Sequence, residues 1–143
     1  MAGVPKSILE IVSWDFESGW QGWTDGGANA ARISNSNNAH SGTYALRIQG
    51  NTATSTVTSN RTDVSLYSTI FVDFFFKPVR MTDLSESFHL GISKDGGPFN
   101  AVYTWTSLDM DDSQWNQGIV EISASGVSTV SIRFECEGAT TKD

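Results

Sequence analysis

A chain of 143 residues has the length of one domain, and it can bury about two-thirds of its unfolded surface in a single core. Only 17% of its residues are charged, and the formal net charge is −7 with nine lysines and arginines. Because those nine are scattered, they form no basic patch for a phosphate backbone, so nucleic acid is excluded as the expected partner. No run approaches the roughly 20 apolar residues of a membrane span. We expect one module over 1–143, in which 1–6 are a linker or an added start.

Alternation of apolar and polar residues dominates the chain, and helical spacing is nearly absent. Turn sequences such as DGG, SNSNN, SGT and ASG separate the alternating runs. Many short strands without a long helix predict an all-β fold, an antiparallel β-sandwich of two sheets. The single cysteine, Cys136, is expected to be a buried small hydrophobe. The predicted strands cover 7–17, 29–34, 43–49, 55–59, 69–78, 87–94, 101–107, 117–123 and 128–136.

The first predicted strand carries two carboxylates that are candidate metal ligands. Asp15 and Glu17 are two residues apart, so on a strand they project from the same face and converge on one hard cation. Calcium takes oxygen ligands in a flexible shell, and the glycine turn at 41–43 is a source of backbone carbonyl oxygens. We therefore hypothesise calcium at Asp15 and Glu17, with a simply solvated pair as the alternative. The acidic run 109–112 lacks EF-hand spacing and is expected to be a polar loop.

The strand TIFVDFFFKP has a second face that suits neither solvent nor core, because two phenylalanines alternate there with an acid and a base. Such a face fits the floor of a groove in which rings stack on a sugar and charged groups bond its hydroxyls. The alternative is that a loop covers the rings. Two aromatic residues of the predicted strand 101–107 extend this platform. The candidate ligand residues are Phe71, Asp73, Phe75, Lys77, His89, Tyr103 and Trp105, with Arg47 as a further hydrogen-bonding residue.

Several stretches in order, DFESGWQGWTDGG, SGTYALRIQGN, VDFFFKPVRM and FHLGISKDGG followed by YTW, resemble the jelly-roll modules appended to secreted bacterial polysaccharidases and proteases. The resemblance runs from Val12 to Glu135 and extends to carbohydrate-binding modules and, more distantly, to MAM adhesion domains. It implies a jelly roll without catalytic residues, attached to catalytic or adhesin domains of a larger extracellular or cell-surface protein. It also implies carboxylates on the first strand that help to pin the termini. MAM domains usually carry several cysteines, so one cysteine favours the bacterial modules.

In the resembling modules a further strand follows the position of FECEGATTKD and closes the sandwich. This chain stops at Asp143, so we expect the sandwich to lack its closing strand or to receive it from elsewhere, which would leave an unpaired sheet edge.

Enzyme signatures are absent from the sequence, which has no Gly-x-Ser-x-Gly elbow, His-Glu-x-x-His pair or phosphate-binding loop. The sequence therefore predicts a non-catalytic module that binds polysaccharide and targets an attached secreted enzyme or adhesin to glycan. The alternative is a MAM-like adhesion or structural spacer domain with a protein partner. Exposed coplanar rings with polar rims favour the first function, and a flat polar surface with all rings buried favours the second.

Overall fold

The computed structural model describes residues 9–27, 29–50 and 55–137. Within these ranges the chain forms strands and no helix, and every ladder is antiparallel. The predicted all-β antiparallel sandwich is thereby confirmed. The described residues include no helix with the length and apolarity needed to cross a membrane. The strands are β1 (Thr24–Asp25), β2 (Ala30–Ser34), β3 (Tyr44–Ile48), β4 (Ser55–Thr58), β5 (Thr62–Asp63), β6 (Thr69–Phe76), β7 (Ser87–Lys94), β8 (Asn100–Thr106), β9 (Asn116–Ser123) and β10 (Thr129–Glu137).

The larger sheet, called sheet A here, has the strand order β1-β4-β10-β7-β8, and β5 pairs with one end of β10. Two further antiparallel pairs, β2–β3 and β6–β9, complete the sandwich. The β6–β9 pair packs face to face on sheet A, because the ring of Phe74 on β6 lies 5.5 Å from Trp105 and 4.7 Å from Phe134 between ring centroids. The β2–β3 pair contributes Ala30 to the buried core, and its Leu46 and Ile48 pack against that core.

The predicted alternation places the expected residues in the core. Leu90 and Ile92 of β7 are buried, and so are Ile70 and Val72 of β6. Cys136 on β10 is also buried, as predicted. Aromatic rings fill the space between the sheets, since buried rings contribute large apolar areas. The ring cluster consists of Phe74, Phe76, Phe88, Trp105 and Phe134, and Trp23 stacks on Phe134 with centroids 5.8 Å apart.

The predicted first strand is wrong over its described part, because residues 9–17 form no strand. Phe16 has a φ of 62°, a left-handed conformation that interrupts an extended chain. The side chain of Gln21 accepts hydrogen bonds from the backbone N–H groups of Asp15 and Phe16, at 3.1 and 2.9 Å. Those N–H groups are therefore not available to a neighbouring strand, and the segment is a loop. The predicted linker at 1–6 lies outside the described residues, as do 138–143, on which the prediction about the closing strand depends.

Candidate ligand-binding site

The surface of sheet A that faces away from β6–β9 is polar and open, and we name it the groove face. Side chains opposite each other on neighbouring strands share a face of a sheet, so the register of pairing fixes its composition. It contains threonines, small residues and four ionisable side chains. One row across the sheet is Thr24, Thr58, Arg133, Gly91 and Ala101, and the next is Thr56, Glu135, His89 and Thr104, with Glu137 beyond them.

Two adjoining depressions lie on the groove face. The first has a volume of about 530 Å³ and the second about 140 Å³. Arg133 and Glu135 line both depressions, so they form the boundary between them. Small side chains keep the floor low: Gly91 and Ala101 line the second depression, and a Cβ at Gly26 in the first would collide with the hydroxyl of Thr56. The surface can therefore receive an extended ligand across several strands.

Two of the ionisable side chains are held in place by neighbours. Arg133 Nε donates to Thr58 Oγ1 at 3.1 Å, and the Arg133 guanidinium carbon lies 3.9 Å from the centroid of the Phe99 ring. His89 Nδ1 lies 2.7 Å from Thr104 Oγ1, and His89 Nε2 lies 3.4 Å from the Glu137 carboxylate. These contacts fix the guanidinium and the imidazole before any ligand arrives, which lowers the entropic cost of binding.

Glu135 differs from its neighbours because no hydrogen bond or ion pair holds its carboxylate within the described part of the chain. It is half-buried on β10, directly opposite Thr56 on one side and His89 on the other. A carboxylate offers acceptor sites only, and because Glu135 lines both open depressions, its acceptors are accessible to a ligand. Glu135 therefore presents unused acceptors beside the donors of Arg133, an arrangement that suits the adjacent hydroxyl groups of a sugar.

The predicted ligand platform is divided among separate places in the fold. His89 lies on the groove face, on the opposite side of the sandwich from β6's outward residues. Trp105 is only 7% exposed and packs against Phe74, Phe76 and Phe88, so it is part of the core and offers no face to a ligand. Tyr103, on the same edge strand, is 48% exposed with its ring 4.4 Å from Trp105. Three of the predicted residues, Phe71, Asp73 and Phe75, lie on the outward face of β6. Lys77 directly follows that strand and donates to the Asn37 carbonyl, while Arg47 is exposed on β3.

The outward face of β6–β9 carries an aromatic cluster that we define as His40, Phe75 and Trp115. The His40 ring lies parallel to the Phe75 ring with centroids 3.7 Å apart, and the Trp115 ring meets His40 edge-on at 5.1 Å. His40 belongs to the loop between β2 and β3, so this loop partly covers the Phe75 ring. His40 lies in an asparagine-rich turn, and nothing in the sequence indicated that its ring contacts Phe75.

Glu17 uses its carboxylate to hold the turn at 41–43. Its Oε1 accepts hydrogen bonds from the backbone N–H groups of Thr43 and Tyr44, both at 2.9 Å. Gly42, with a φ of 70°, lets the carboxylate approach, because a Cβ there would collide with it. The turn thus offers N–H donors to Glu17 rather than the carbonyl oxygens that a calcium shell was expected to use.

The groups beside Glu17 are also engaged in hydrogen bonds. Asp15 Oδ1 accepts from Gln21 Nε2 at 2.9 Å, and the carbonyl oxygens of Phe16 and Glu17 accept from the guanidinium of Arg32, each at 2.7 Å. No group of three or more His, Cys, Asp or Glu side chains in the described ranges is placed to hold a metal ion. As arranged, these atoms do not form an oxygen shell for calcium, and calcium at Asp15 and Glu17 stays a prediction.

Sequence reasoning missed the central residues of the groove face. Arg133 and Glu135 occupy outward positions of the strand STVSIRFEC, and Thr56 and Thr58 occupy outward positions of STVTS. The same alternation that identified the inward residues predicts that these polar residues face outward. Only the pairing of β10 with both β4 and β7 shows that they lie side by side, and this pairing is not readable from one sequence.

No protein-family model and no curated protein matches this sequence. Ten chains of solved structures match its fold. One is the N-terminal CBM22-1–CBM22-2 tandem domain of Xyn10C from Paenibacillus barcinonensis, with a TM-score of 0.55 and 14% sequence identity. The match covers 94% of this chain and 44% of that chain, so this chain spans less than half of that structure. The likeness shows a fold of the carbohydrate-binding-module type, and at this identity it shows the fold alone.

Proposed function

We propose that this chain is a non-catalytic module that binds polysaccharide along the groove face and brings an attached secreted enzyme or adhesin to its glycan. The observation that carries the proposal is the pair Arg133 and Glu135, which lies between the two depressions with the Glu135 carboxylate unbonded by described residues. Sugar hydroxyls donate and accept at once, so a fixed guanidinium next to a free carboxylate meets both needs. The fold of the carbohydrate-binding-module type supports the same function.

The charge of the site favours a neutral glycan over an acidic one. The chain carries a net charge of −7, and Glu135 and Glu137 both lie on the groove face. A polyanion would be repelled there, whereas a neutral chain needs only hydrogen bonds and contact with an apolar surface such as the Phe99 ring. Strands lie about 4.8 Å apart, so a row across β1, β4, β10, β7 and β8 extends about 19 Å, enough for several sugar units.

The same carboxylates are poorly placed for catalysis. Glycosidases hold two carboxyl groups on opposite sides of the bond to be broken. Glu135 and Glu137 instead project from the same face of one strand, and Glu137 lies within 3.4 Å of His89. The arrangement suits binding without bond cleavage, in a module of an extracellular or cell-surface protein.

The test is a titration of the protein with neutral polysaccharides (xylan, glucan and mannan) and with acidic polygalacturonate. We expect at least one neutral polymer to bind, and Glu135→Gln or Arg133→Met to weaken that binding about tenfold, which corresponds to about 1.4 kcal/mol. Glu10→Gln, an exposed carboxylate in the N-terminal segment, is the matched control and should bind like the unsubstituted protein. Unchanged affinity in both groove variants would remove the groove face as the site. If no polymer binds with at least millimolar affinity, the adhesion or spacer function replaces this proposal.

A further inference from the structure

We infer that the aromatic cluster of His40, Phe75 and Trp115 is a second saccharide-binding site, on the opposite side of the sandwich from the groove face. This inference rests on the proposed glycan-binding function. His40 is exposed while its ring lies within 9° of parallel to that of Phe75, which is itself 46% exposed. A stack of rings open to solvent is the kind of apolar surface that marks a ligand site on a soluble protein.

The cluster is held rigidly, as a binding surface should be. Phe75 lies on β6, whose ladder with β9 extends over the full length of both strands. The loop that carries His40 is closed by a hydrogen bond from Asn35 N–H to the Thr43 carbonyl at 3.0 Å, and Lys77 Nζ donates to the Asn37 carbonyl at 3.3 Å. Because the rings are already fixed, a ligand that stacks on them loses little additional side-chain entropy.

The groups around the rings match the hydroxyl rim of a pyranose. Outward residues two apart on a strand lie about 7 Å from each other, so Asp73 lies beside Phe75 on β6, and Lys77 directly follows the last residue of that strand. Asp73 Oδ1 accepts from Gln117 Nε2 at 2.9 Å, which sets a carboxylate and an amide at one edge of the ring stack. The apolar C–H face of a sugar stacks on rings while its hydroxyls bond to planar carboxylate and amide groups at the edge.

The ligand class that fits the cluster is a neutral pyranose oligosaccharide, because the Asp73 carboxylate at its edge would repel an acidic sugar. Because the two sites lie on opposite faces of the sandwich, one short chain cannot occupy both. The module would therefore hold two separate glycan chains. A polysaccharide material with many neighbouring chains would retain the module by binding both sites at once.

The experiment counts bound sugars by calorimetric titration with xylohexaose, cellohexaose and mannohexaose. We expect two hexasaccharides per protein for at least one of these probes. The double variant His40→Ala plus Phe75→Ala should bind one hexasaccharide, at the groove face. The groove double variant Arg133→Met plus Glu135→Gln should also bind one, at the aromatic cluster. Leu108→Ala, which shortens an apolar side chain 82% exposed elsewhere on the surface, is the control and should still bind two. If the melting temperature shows that Phe75→Ala unfolds the protein, His40→Ala alone serves, because His40 is exposed.

The outcomes separate this inference from the proposed function. One bound sugar that is lost in the groove variant and kept in the cluster variant would overturn the second site and retain the groove. One bound sugar with the reverse pattern would support the cluster and contradict the groove as the site. Two bound sugars in the cluster variant would overturn the inference, and no binding by any probe would overturn both proposals.

Discussion

At the scale of single residues, Arg32 connects segments that are distant in the chain. From β2, its guanidinium donates to the carbonyl oxygens of Phe16 and Glu17, and its central carbon lies 3.5 Å from the centroid of the Tyr44 ring on β3. Hydrogen bonds from a charged donor are stronger than those between neutral groups. Arg32 therefore holds the N-terminal loop against the β2–β3 pair.

Replacing Arg32 should destabilise the protein. Arg32→Met keeps an unbranched side chain but leaves two carbonyl oxygens without donors, at a cost of about 1–3 kcal/mol in the free energy of unfolding. Urea denaturation measures this value, and the melting temperature should fall by several degrees. Arg47→Met on β3 removes an exposed arginine and is the matched control, for which we expect no change. Equal stabilities of the two variants would show that the Arg32 contacts contribute nothing.

At the scale of elements, the packing of β6–β9 on sheet A depends on a glycine. Gly118 on β9 pairs with Phe74 on β6, and a Cβ at Gly118 would collide with the Phe74 ring. That ring cannot easily move, because it also contacts Trp105 and Phe134 across the interface between the sheets. The absent side chain thus makes room for the aromatic core.

Gly118→Ala should therefore lower the free energy of unfolding by about 1–3 kcal/mol, the usual cost of overpacking a core. Gly91→Ala is the comparison, since both glycines lie in strands. A Cβ at Gly91 would come no closer than 3.6 Å to the Asn100 carbonyl oxygen, an ordinary contact. Chemical denaturation of both variants tests the argument, which fails if Gly118→Ala is no less stable than Gly91→Ala.

At the scale of the whole molecule, alternation in the sequence was enough to predict the fold class and the inward residues of most strands. Alternation could not show whether the face of β8 that carries Tyr103 and Trp105 turns toward the core or toward solvent. The two residues do share a face, and pairing with β7 turns it inward, where Trp105 joins the ring cluster. Nor could alternation show that the backbone N–H groups of Asp15 and Phe16 donate to the Gln21 side chain, so that a loop stands where a strand was predicted. The groove face needed tertiary information, because its residues come from strands far apart in sequence.

The calcium prediction also belongs to the whole molecule, because an ion that binds only the native state stabilises all of it, by about 2.7 kcal/mol at a hundred times its dissociation constant. If Asp15 and Glu17 bind calcium, a chelator lowers the melting temperature of the unsubstituted protein by several degrees and leaves an Asp15→Ala plus Glu17→Ala variant unchanged. Binding would require Glu17 Oε1 to exchange the N–H groups of Thr43 and Tyr44 for the ion. An unchanged melting temperature in the unsubstituted protein would contradict the prediction, and Arg32 with those N–H groups would then hold the loop without a metal.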